Sequence, residues 1–466
     1  MWAPLSRGLP FLGRQLNCHR CPVPRPFSNH RGRVLISTQS AGTQSADVLV
    51  IGGGPVGLST AYHLARMRGG DGRGIVILER DPTYKRASAT LSAGGIRQQF
   101  SLRENVEMSM YGRDFLRDAA ELLRTANLGE EEVDVQFREH GYLFLACSDS
   151  GRKVMRENHE VQREAGCEDA RLLDPSELSE RFPWINIEDV LLGSYGEKGE
   201  GWFDPWALIS ALKNKIVDMG VKYVHGAPIG ARRDERTGMV LSVDVEERSV
   251  RTRNISRYSV GQIVNAAGAH ASSVMDLLAG TGAPLVHPLP VRPRKRCIFF
   301  FHCSAPHGVP PVAPLTVDSS LVYFRSEGSS ESANFLCGVS PMEDEDRDCH
   351  DDAGLDYVDH HLFEDRIWPA LFHRVPAFGE IKVRSSWAGL YDYNTIDQNA
   401  IIGFHPEVPN IVMANGFSGH GLQHSPAAGR AAAELLEQRM FRTLDLHIFS
   451  FERVLKGEAV FEHGIV

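Results

Sequence analysis

The sequence lacks long apolar runs and contains few cysteines. No stretch of its 466 residues approaches the roughly 20 consecutive apolar residues of a membrane-spanning helix, so any membrane association is expected to be peripheral. Its 8 cysteines are too sparse for a disulfide framework in a chain of this length. Cys18 and Cys21 form one C-x-x-C pair, and no second pair completes a zinc site. We therefore expect reduced thiols and no metal centre.

An excess of positive charge is also missing, because the formal net charge is -9. Proteins that bind nucleic acid usually carry a basic surface, so nucleic acid is not expected as a partner. Residues 344–352 form an acidic run, for which we expect a solvated loop rather than a metal site. Residues 292–296 form a basic run, for which we expect either a solvated surface or a docking face for an acidic partner or an anionic lipid.

The first 46 residues contain no acidic residue, although they include six arginines and several serines. Glycine, proline and arginine interrupt the apolar core that a secretory signal requires. This composition is typical of a mitochondrial transit peptide, which we predict for residues 1–45, with the mature chain beginning between residues 37 and 47. The protein is then expected in the mitochondrial matrix, or peripherally on the matrix side of the inner membrane. A disordered basic tail is the alternative interpretation.

Residues 47–57 have the sequence DVLVIGGGPVG, a buried strand followed by glycines at the spacing G-x-G-x-x-G. Gly52, Gly54 and Gly57 permit the tight turn, the close approach of a pyrophosphate and the close packing of a helix on the strand. The helix that follows directs its N-terminal amides at the anion. A second apolar strand ends at Glu79, 22 positions after Gly57, where an acidic residue binds the adenosine ribose. The segment predicts a dinucleotide-binding βαβ unit.

Three further segments of small residues follow predicted strands or precede a predicted helix. They are residues 87–97, 265–269 and 415–421. Small side chains let a flat ring system approach the backbone, and ligands of open α/β sheets bind at the carboxyl ends of the strands. We therefore predict that these segments surround the same cofactor. Residues 288–338 instead predict an antiparallel sheet, because short apolar runs alternate there with proline, serine and glycine.

These motifs together resemble those of the D-amino-acid oxidase-like family of FAD-dependent oxidoreductases, which includes sarcosine and dimethylglycine dehydrogenases. The resemblance extends from residue 46 to residue 438 and rests on GGGPVG, SAGGIR, VNAAGAH, YFR and GFSGHGLQHSP. It implies an α/β fold, with a Rossmann-type FAD-binding domain of separated segments and an inserted α+β substrate domain whose antiparallel sheet covers the flavin. The implied boundaries are 46–138, 202–288 and 386–445 for the FAD-binding domain, 139–201 and 289–385 for the substrate or cap domain, and 446–466 for a C-terminal tail.

The resemblance also implies which residues contact FAD and the substrate. Those implied to contact FAD are Gly52, Gly54, Pro55, Val56, Gly57, Glu79, Arg80, Ser92, Ala93, Gly94, Gly95, Ala267, Gly268, Gly389, Gly416, Phe417, Gly419, His420, Gly421 and Leu422. Those implied at the substrate are Arg97, Tyr391, Gln423 and His420. Arg97 has the position of a carboxylate-binding arginine, with a helix-start or surface arginine as the alternative. His420 is interpreted either as support for its turn or as a general base, while Tyr323, Arg325 and Tyr391 either line the substrate cavity or pack within the sheet.

Four departures from the family pattern bear on the chemistry. Ser92 stands where the dehydrogenases tether FAD through a histidine, and residues 389–390 stand where sarcosine oxidase uses a cysteine, so FAD is expected to be non-covalent. Tyr391 is the one alternative tether. Residues 334–338 lack the lysine that oxidases place over the flavin, which favours a dehydrogenase. Gln423 replaces the lysine that is the family's second carboxylate-binding cation.

The reaction implied by the resemblance is removal of a hydride from the carbon next to an amine. FAD accepts the hydride, the imine product hydrolyses, and a protein partner or a quinone reoxidises the flavin. A small amine or N-methyl amino acid is the implied substrate. The whole pattern looks most like a family member associated with assembly of mitochondrial respiratory complex I, so complex I subunits or assembly intermediates are the implied protein partners. The alternatives are a flavin-binding assembly factor with little or no turnover, and an NAD(P)-dependent enzyme.

Overall fold

Two large β-sheets, with helices packed on them, form the protein. The computed structural model describes residues 42–126, 133–249, 252–280, 284–303, 309–310, 312–328, 332–342, 344–350 and 352–464. Most of the predicted transit peptide, with its C-x-x-C pair, therefore lies outside the described residues. All described residues belong to one compact unit, so the domain boundaries that the family resemblance implies stay a prediction.

The predicted strands and helices occur in the predicted order, together with strands that the sequence did not predict, among them β5, β8 and β9. The strands are β1 (Gln44–Ile51), β2 (Ile75–Glu79), β3 (Gly95–Ile96), β4 (Tyr142–Ala146), β5 (Ala170–Leu173), β6 (Leu192–Gly196), β7 (Gly201–Trp202), β8 (Lys222–Arg233), β9 (Val240–Arg248), β10 (Arg253–Asn265), β11 (Val291–Cys303), β12 (Leu315–Val317), β13 (Val322–Glu327), β14 (Asn334–Val339), β15 (Ile381–Asn394), β16 (Ile401–His405) and β17 (Val408–Asn415). The α-helices are α1 (Pro55–Met67), α2 (Arg103–Arg117), α3 (Ala119–Leu122), α4 (Asp149–Glu164), α5 (Pro175–Arg181), α6 (Pro205–Asp218), α7 (Ala271–Ala279), α8 (His360–Leu362), α9 (Trp368–Arg374), α10 (Gly421–Gln438) and α11 (Glu452–Lys456). Across the described part of the chain, no helix combines the length and the apolar character needed to cross a membrane.

The first sheet has seven strands and contains the glycine motif. Strands β8, β2, β1, β10 and β17 are neighbours in that order and run parallel, β16 is antiparallel to β17, and β9 is antiparallel to both β8 and β10. Val48 and Val50 of the central strand face the core that includes α1 and α10, while Leu49 and Ile51 face the core beside α7. Burial on both faces explains why this strand has no polar alternation.

The second sheet has eight strands in the order β15, β11, β14, β13, β12, β4, β6 and β5. All neighbouring pairs are antiparallel except β12 with β4. The antiparallel sheet predicted for residues 288–338 is therefore confirmed, and strands from earlier and later in the chain extend it. Phenylalanines fill its core, where Phe378 packs on Phe301, Phe324 and Phe335.

The last long helix begins earlier than the sequence predicts. We expect it from Pro426, but α10 begins at Gly421 and contains that proline. Proline has no N–H to donate to the carbonyl of Leu422, and the hydroxyl of Ser425 donates to that oxygen at 2.8 Å. The N-terminus of α10 therefore lies directly after the glycine-rich turn.

Two other predicted helices are shorter than expected. The helix predicted for residues 103–126 ends at Arg117, and a short helix follows it. The helix predicted for residues 355–371 is divided into a 3₁₀ turn, α8, a π-helical turn at Phe363–Ile367 and α9. Pro369, near the start of α9, has no N–H to donate to the carbonyl of Asp365, which accounts for the π-helical turn that precedes α9.

The basic run (residues 292–296) and the acidic run (residues 344–352) pair with each other. The expectation that the basic run is either a solvated surface or a docking face is therefore wrong for Arg294 and Arg296. Arg294 Nε lies 2.9 Å from Asp348 Oδ1. Arg296 donates from Nη1 and Nη2 to the two carboxylate oxygens of Asp346 at 2.8 and 2.9 Å. The side chain of Asp346 is only 8% exposed, so the acidic run is not a fully solvated loop either. The two runs lie more than 40 residues apart, and the charge pattern of each one alone gives no sign of the pairing.

Candidate functional site

A cavity of about 410 Å³ opens where β1, β2 and β10 end. Parallel strands end at a common edge of the sheet, so the segments that follow them meet there. The predicted FAD-contacting residues that line this cavity are Gly52, Gly54, Pro55, Val56, Glu79, Arg80, Ser92, Ala267, Gly268, Phe417, Gly419, Gly421 and Leu422. The structure thus brings together motifs from the beginning, middle and end of the chain.

Glycine is required at two positions of the first turn by contacts within the protein. A Cβ atom on Gly52, which has a φ of +109°, would lie 2.3 Å from the carbonyl oxygen of Ala266. A Cβ atom on Gly57 would lie 2.0 Å from the carbonyl oxygen of Gly52. Gly57 does not line the cavity, and its role is to let α1 pack closely on β1.

Gly54 differs from these two glycines because nothing in the protein opposes a side chain there. A Cβ atom on Gly54 would meet no described atom within 4 Å, and the residue lines the cavity. Gly54 is also the N-cap of α1, and no side chain caps that helix. The backbone N–H groups of the first turn and the positive end of the helix dipole therefore lie beside open space, as anion binding requires.

Glu79 ends β2 and organises the same turn. Its Oε2 accepts from the backbone N–H of Gly53 at 2.9 Å, and its Oε1 accepts from the backbone N–H of Asp81 at 2.8 Å. Burial raises the pKa of Glu79, while these two hydrogen bonds act in the opposite direction. The carboxylate is therefore held in place at the cavity wall.

Tyr84 is a residue of this site that the sequence does not reveal. Its hydroxyl donates to the carbonyl oxygen of Gly53 at 2.7 Å and lies 2.7 Å from the hydroxyl of Tyr223. Its φ of +53° is unusual for a residue other than glycine. Tyr84 lines the cavity and fixes the glycine turn from outside. Only the pairing of β2 with β8 brings Tyr223 to it, and no local pattern indicates that contact.

The N-terminus of α10 forms the other end of the cavity. His420 is its N-cap, and no side chain caps this helix either. Asp392, which the sequence gives no reason to select, accepts from the backbone N–H groups of Gly416 and Phe417 at 2.8 and 3.2 Å. Burial raises the pKa of Asp392 to about 6. Gly416 does not itself line the cavity, since its Cα faces Val291 and Asn394 of the supporting strands.

A second, smaller cavity of about 100 Å³ adjoins the first. The residues that line both are Ser88, Ser92, Leu390, Tyr391, Gly419 and Leu422. The predicted residues that line only the smaller one are Ala93, Gly94, Gly95, Arg97, Gly389, His420 and Gln423. All four predicted substrate-contacting residues therefore line one small space beside the α10 end of the larger cavity.

Arg97 lines the smaller cavity and is only 6% exposed. Its Nη1 lies 3.4 Å from the hydroxyl of Tyr142, and its Nη2 lies 3.1 Å from Nε2 of His420. Because arginine can only donate, this nitrogen of His420 accepts, which places the ring proton on Nδ1. The backbone N–H of Arg97 donates to Oε1 of Gln423 at 2.8 Å. The guanidinium also lies over the ring of Phe100, 4.7 Å from its centre.

The two residues of the YFR motif have different positions. Tyr323 lines the smaller cavity. Arg325 does not, since its Nε donates to the carbonyl oxygen of Ala93 at 2.7 Å and its guanidinium lies over Trp202. Arg325 therefore holds the backbone of the small-residue loop (residues 87–97) and does not line the smaller cavity. Arg296, which the sequence assigns only to a basic run, lines the smaller cavity.

Comparison with known proteins relates these features to a family. Residues 47–435 match the family model described as FAD dependent oxidoreductase. The chain is 45% identical over 438 residues to FAD-dependent oxidoreductase domain-containing protein 1 of Xenopus laevis, covering 91% of this chain and 85% of that protein. It is 25% identical over 398 residues to mitochondrial sarcosine dehydrogenase of Mus musculus, covering 84% of this chain but 39% of that protein.

Among solved structures, L-proline dehydrogenase from P. horikoshii has the same fold. It superposes with a TM-score of 0.73 at 23% identity, covering 90% of this chain and 100% of that one. The predicted fold, an FAD-binding α/β sheet combined with an antiparallel sheet, is thereby confirmed. Because the family model covers most of the chain, the protein belongs to the FAD dependent oxidoreductase family, whose members are FAD-binding flavoproteins.

Proposed function

We propose that this protein is an FAD-dependent dehydrogenase that oxidises a small amine or an N-methyl amino acid. The observation that carries the proposal is the shared wall between the two cavities. Tyr391, Gly419 and Leu422 separate the larger cavity, which suits a dinucleotide, from the smaller one, which contains the buried Arg97. A substrate held by its carboxylate at Arg97 would lie beside the flavin end of the cofactor.

The residues of the larger cavity fit FAD. Glu79 is available to the adenosine ribose, the uncapped first turn of α1 to the pyrophosphate, and the uncapped first turn of α10 to the pyrimidine edge of the flavin. The open space at Gly54 supports this assignment, since a side chain there would occupy the pyrophosphate position. FAD supplies the hydride acceptor when bound, and the protein contributes orientation and electrostatics.

Arg97 is suited to bind and orient a carboxylate. Tyr142 and His420 hold its guanidinium from two sides, so its orientation is fixed before a substrate arrives. Burial strengthens its interaction with an anion, and a guanidinium can hold a carboxylate by two parallel hydrogen bonds. Gln423 uses its Oε1 to fix the backbone of Arg97, which leaves its amide nitrogen as a neutral donor to the substrate. We assign His420 a positioning role, because its Nε2 is occupied by Arg97.

Dehydrogenase chemistry with non-covalent FAD is the form that we propose. Within the described part of the chain, no lysine lines either cavity, and a lysine over the flavin is the feature implied for the oxidases. Ser92 and Gly389 line the cavities at the positions where relatives are expected to tether FAD. Glycine has no side chain for such a bond, and the serine hydroxyl cannot replace the histidine that forms it.

We further propose that the protein acts in the mitochondrial matrix, or on the matrix side of the inner membrane, and contributes to assembly of complex I. The N-terminal composition and the family resemblance support this part of the proposal. A flavin-binding assembly factor with little or no turnover is the second candidate. The observation that favours it is Gln423, whose neutral side chain stands where the family has a second cation for the substrate.

The test of enzymatic function is anaerobic reduction of the bound flavin. Purified full-length protein should show flavin absorbance, and acid precipitation should release the flavin into the supernatant if it is not tethered. Within a panel of amines, N-methyl amino acids and their non-carboxylate analogues, the compounds that bear a carboxylate should bleach the flavin fastest. Arg97→Gln should abolish that selectivity, and Arg97→Lys should restore part of it. Absence of bleaching across the panel would count against an enzyme.

The two candidate functions, an enzyme and a flavin-binding assembly factor, can be distinguished in cells that lack the endogenous protein. If turnover is needed, Arg97→Gln should fail to restore complex I assembly. If only flavin binding is needed, this variant should restore assembly, while Gly54→Ala, which blocks the cofactor cavity, should fail.

A further inference from the structure

Arg296 is a second arginine that lines the smaller cavity, and it belongs to the eight-stranded sheet. It lies on β11 opposite Gly389 of β15, and its guanidinium lies over the ring of Tyr391, 4.8 Å from its centre. Tyr391 separates the two cavities, so Arg296 lies close to the wall shared with the flavin end. Burial raises the pKa of Tyr391, and Arg296 and Arg97 both oppose that rise. The two arginines therefore act on the same tyrosine.

The hydrogen bonds of Arg296 leave one edge of its guanidinium without a partner. Asp346 accepts from Nη1 and Nη2, and the carbonyl oxygen of Lys295 accepts from Nη1 at 2.9 Å. Among the described residues, Nε of Arg296 has no hydrogen-bond partner although it is buried. A guanidinium has five N–H donors, and the edge formed by Nε and Nη2 is one that can hold a carboxylate by two hydrogen bonds. A buried donor without an acceptor is unfavourable, so a ligand that accepts from it gains affinity.

We propose that Arg296 is a second carboxylate-binding residue and that the substrate is an amine bearing two carboxylates, one bound by Arg97 and the other by Arg296. This inference rests on the proposed function, and it supplies the second cation that Gln423 does not provide. Asp346 keeps the guanidinium of Arg296 oriented and balances its charge when the site is empty. The structure assigns this role to Arg296 because it alone, among the arginines of the basic run, lines the cavity.

The experiment compares two thioethers that cannot be oxidised at nitrogen and differ by one carboxylate, methylthioacetate and thiodiglycolate. Each is titrated into the FAD-loaded protein, and binding is measured from the change in flavin absorbance. The native protein should bind the diacid at least tenfold more tightly than the monoacid. Arg296→Gln should weaken diacid binding at least tenfold more than monoacid binding.

Arg292→Gln is the matched control, because Arg292 is on the same strand and belongs to the same basic run but is exposed and does not line the cavity. It should leave the preference for the diacid unchanged. Asp346→Asn keeps Arg296 but removes its counter-charge, so it should increase the preference for the diacid. This variant keeps the inference testable if Arg296→Gln does not fold.

Two results would overturn the inference. One is equal binding of the two thioethers by the native protein, and the other is an equal effect of Arg296→Gln on both, which would indicate a merely structural arginine. If the monoacid binds and only the preference is absent, the inference fails and the proposed function stands. If neither thioether perturbs the flavin, both fail.

Discussion

Glu200 shows at the scale of one residue how the site is held in place. It is only 1% exposed and holds the segment that follows Arg97. Its Oε1 accepts from the backbone N–H of Gln98 at 2.5 Å, and its Oε2 accepts from the side chain of Gln99 at 2.6 Å. Burial raises the pKa of Glu200 to about 7, although these hydrogen bonds and Arg97 oppose the rise. Protonation of this carboxyl group is therefore linked to the stability of the folded chain.

We expect Glu200→Gln to alter the pH dependence of stability. The pKa of Glu200 in the folded state is above its ordinary value of 4.5, so the stability it contributes is present below pH 4.5 and is lost as the pH rises towards 7. The variant should therefore gain roughly 1 to 3 kcal/mol relative to the native protein between pH 4.5 and pH 8. Gln99 can turn its amide to accept from the new side chain, since its Oε1 has no partner within the described structure.

Urea unfolding at pH 5 and pH 8 measures this difference. Glu458→Gln, at an exposed position, is the control and should show the native pH dependence. If the difference in stability between the native protein and Glu200→Gln is the same at pH 5 and pH 8, the assignment of a raised pKa to Glu200 is contradicted.

Gly54 and Gly57 belong to one motif, but substitution should affect different properties. Gly54→Ala meets no protein atom within 4 Å, so the apoprotein should keep its stability while its affinity for FAD falls at least tenfold. Gly57→Ala places a Cβ atom 2.0 Å from a backbone oxygen, so it should destabilise the apoprotein itself. Thermal unfolding without FAD and titration with FAD measure the two effects. Loss of stability in the Gly54 variant would show that this glycine is needed for the turn rather than for the cofactor.

At the scale of elements, side-chain caps are present on α5 and α6, and they are absent from α1 and α10. Asp174 and Glu177 form a capping box on α5, and Asp204 caps α6. Such caps are local, so the sequence reveals them. The helices α1 and α10 have no side-chain cap, and both begin at the larger cavity. Their N-terminal donors remain available for a ligand.

Helix α2 is a third case, because its cap comes from the other end of the chain. Its N-cap, Leu102, has no capping side chain. Glu462 instead accepts from the backbone N–H and hydroxyl of Ser101, from the backbone N–H of Leu102 and from the side chain of Asn105. The segment that the sequence predicts only as a C-terminal tail therefore fixes the helix that follows Arg97.

We expect Glu462→Ala to lower the free energy of unfolding by about 1 to 2 kcal/mol, as loss of a helix N-cap does. The reason is that several partly buried donors at the start of α2 lose one shared acceptor. Urea unfolding measures the change, with Glu458→Ala, an exposed acid of the same segment, as the control. Equal stability of the two variants would mean that water replaces the carboxylate without loss.

At the scale of the whole molecule, the larger cavity joins distant parts of the chain. Its lining extends from Ile51 to Leu422 and includes residues of both large sheets. A ligand there contacts the ends of β1, β2 and β10 together with β15 and α10. Binding of FAD is therefore expected to stabilise the molecule as one cooperative unit.

Removal of FAD should accordingly lower the stability of both sheets together. A ligand present at 100 times its dissociation constant stabilises a protein by about 2.7 kcal/mol. Thermal unfolding with and without added FAD measures the shift, and hydrogen exchange reports whether strands of both sheets become less protected. Gly54→Ala, which binds FAD more weakly, should reduce the shift by about half or more. Protection that changes only around β1 and β2 would contradict the idea of one unit.

The sequence by itself determined the glycine turn at the larger cavity and the main elements around it. The residues from Gly52 to Glu79 form a strand, turn, helix and strand that are adjacent in the chain, so their spacing is sufficient to predict their geometry. Only the tertiary structure decided the lining of the smaller cavity. Arg97 and Gln423 are hydrogen-bonded although 326 positions separate them, and Arg296 reaches the same cavity from the second sheet. The local charge pattern around Arg296 indicates a solvated surface, whereas burial against Tyr391 and Asp346 depends on strand register and loop packing that no local pattern encodes.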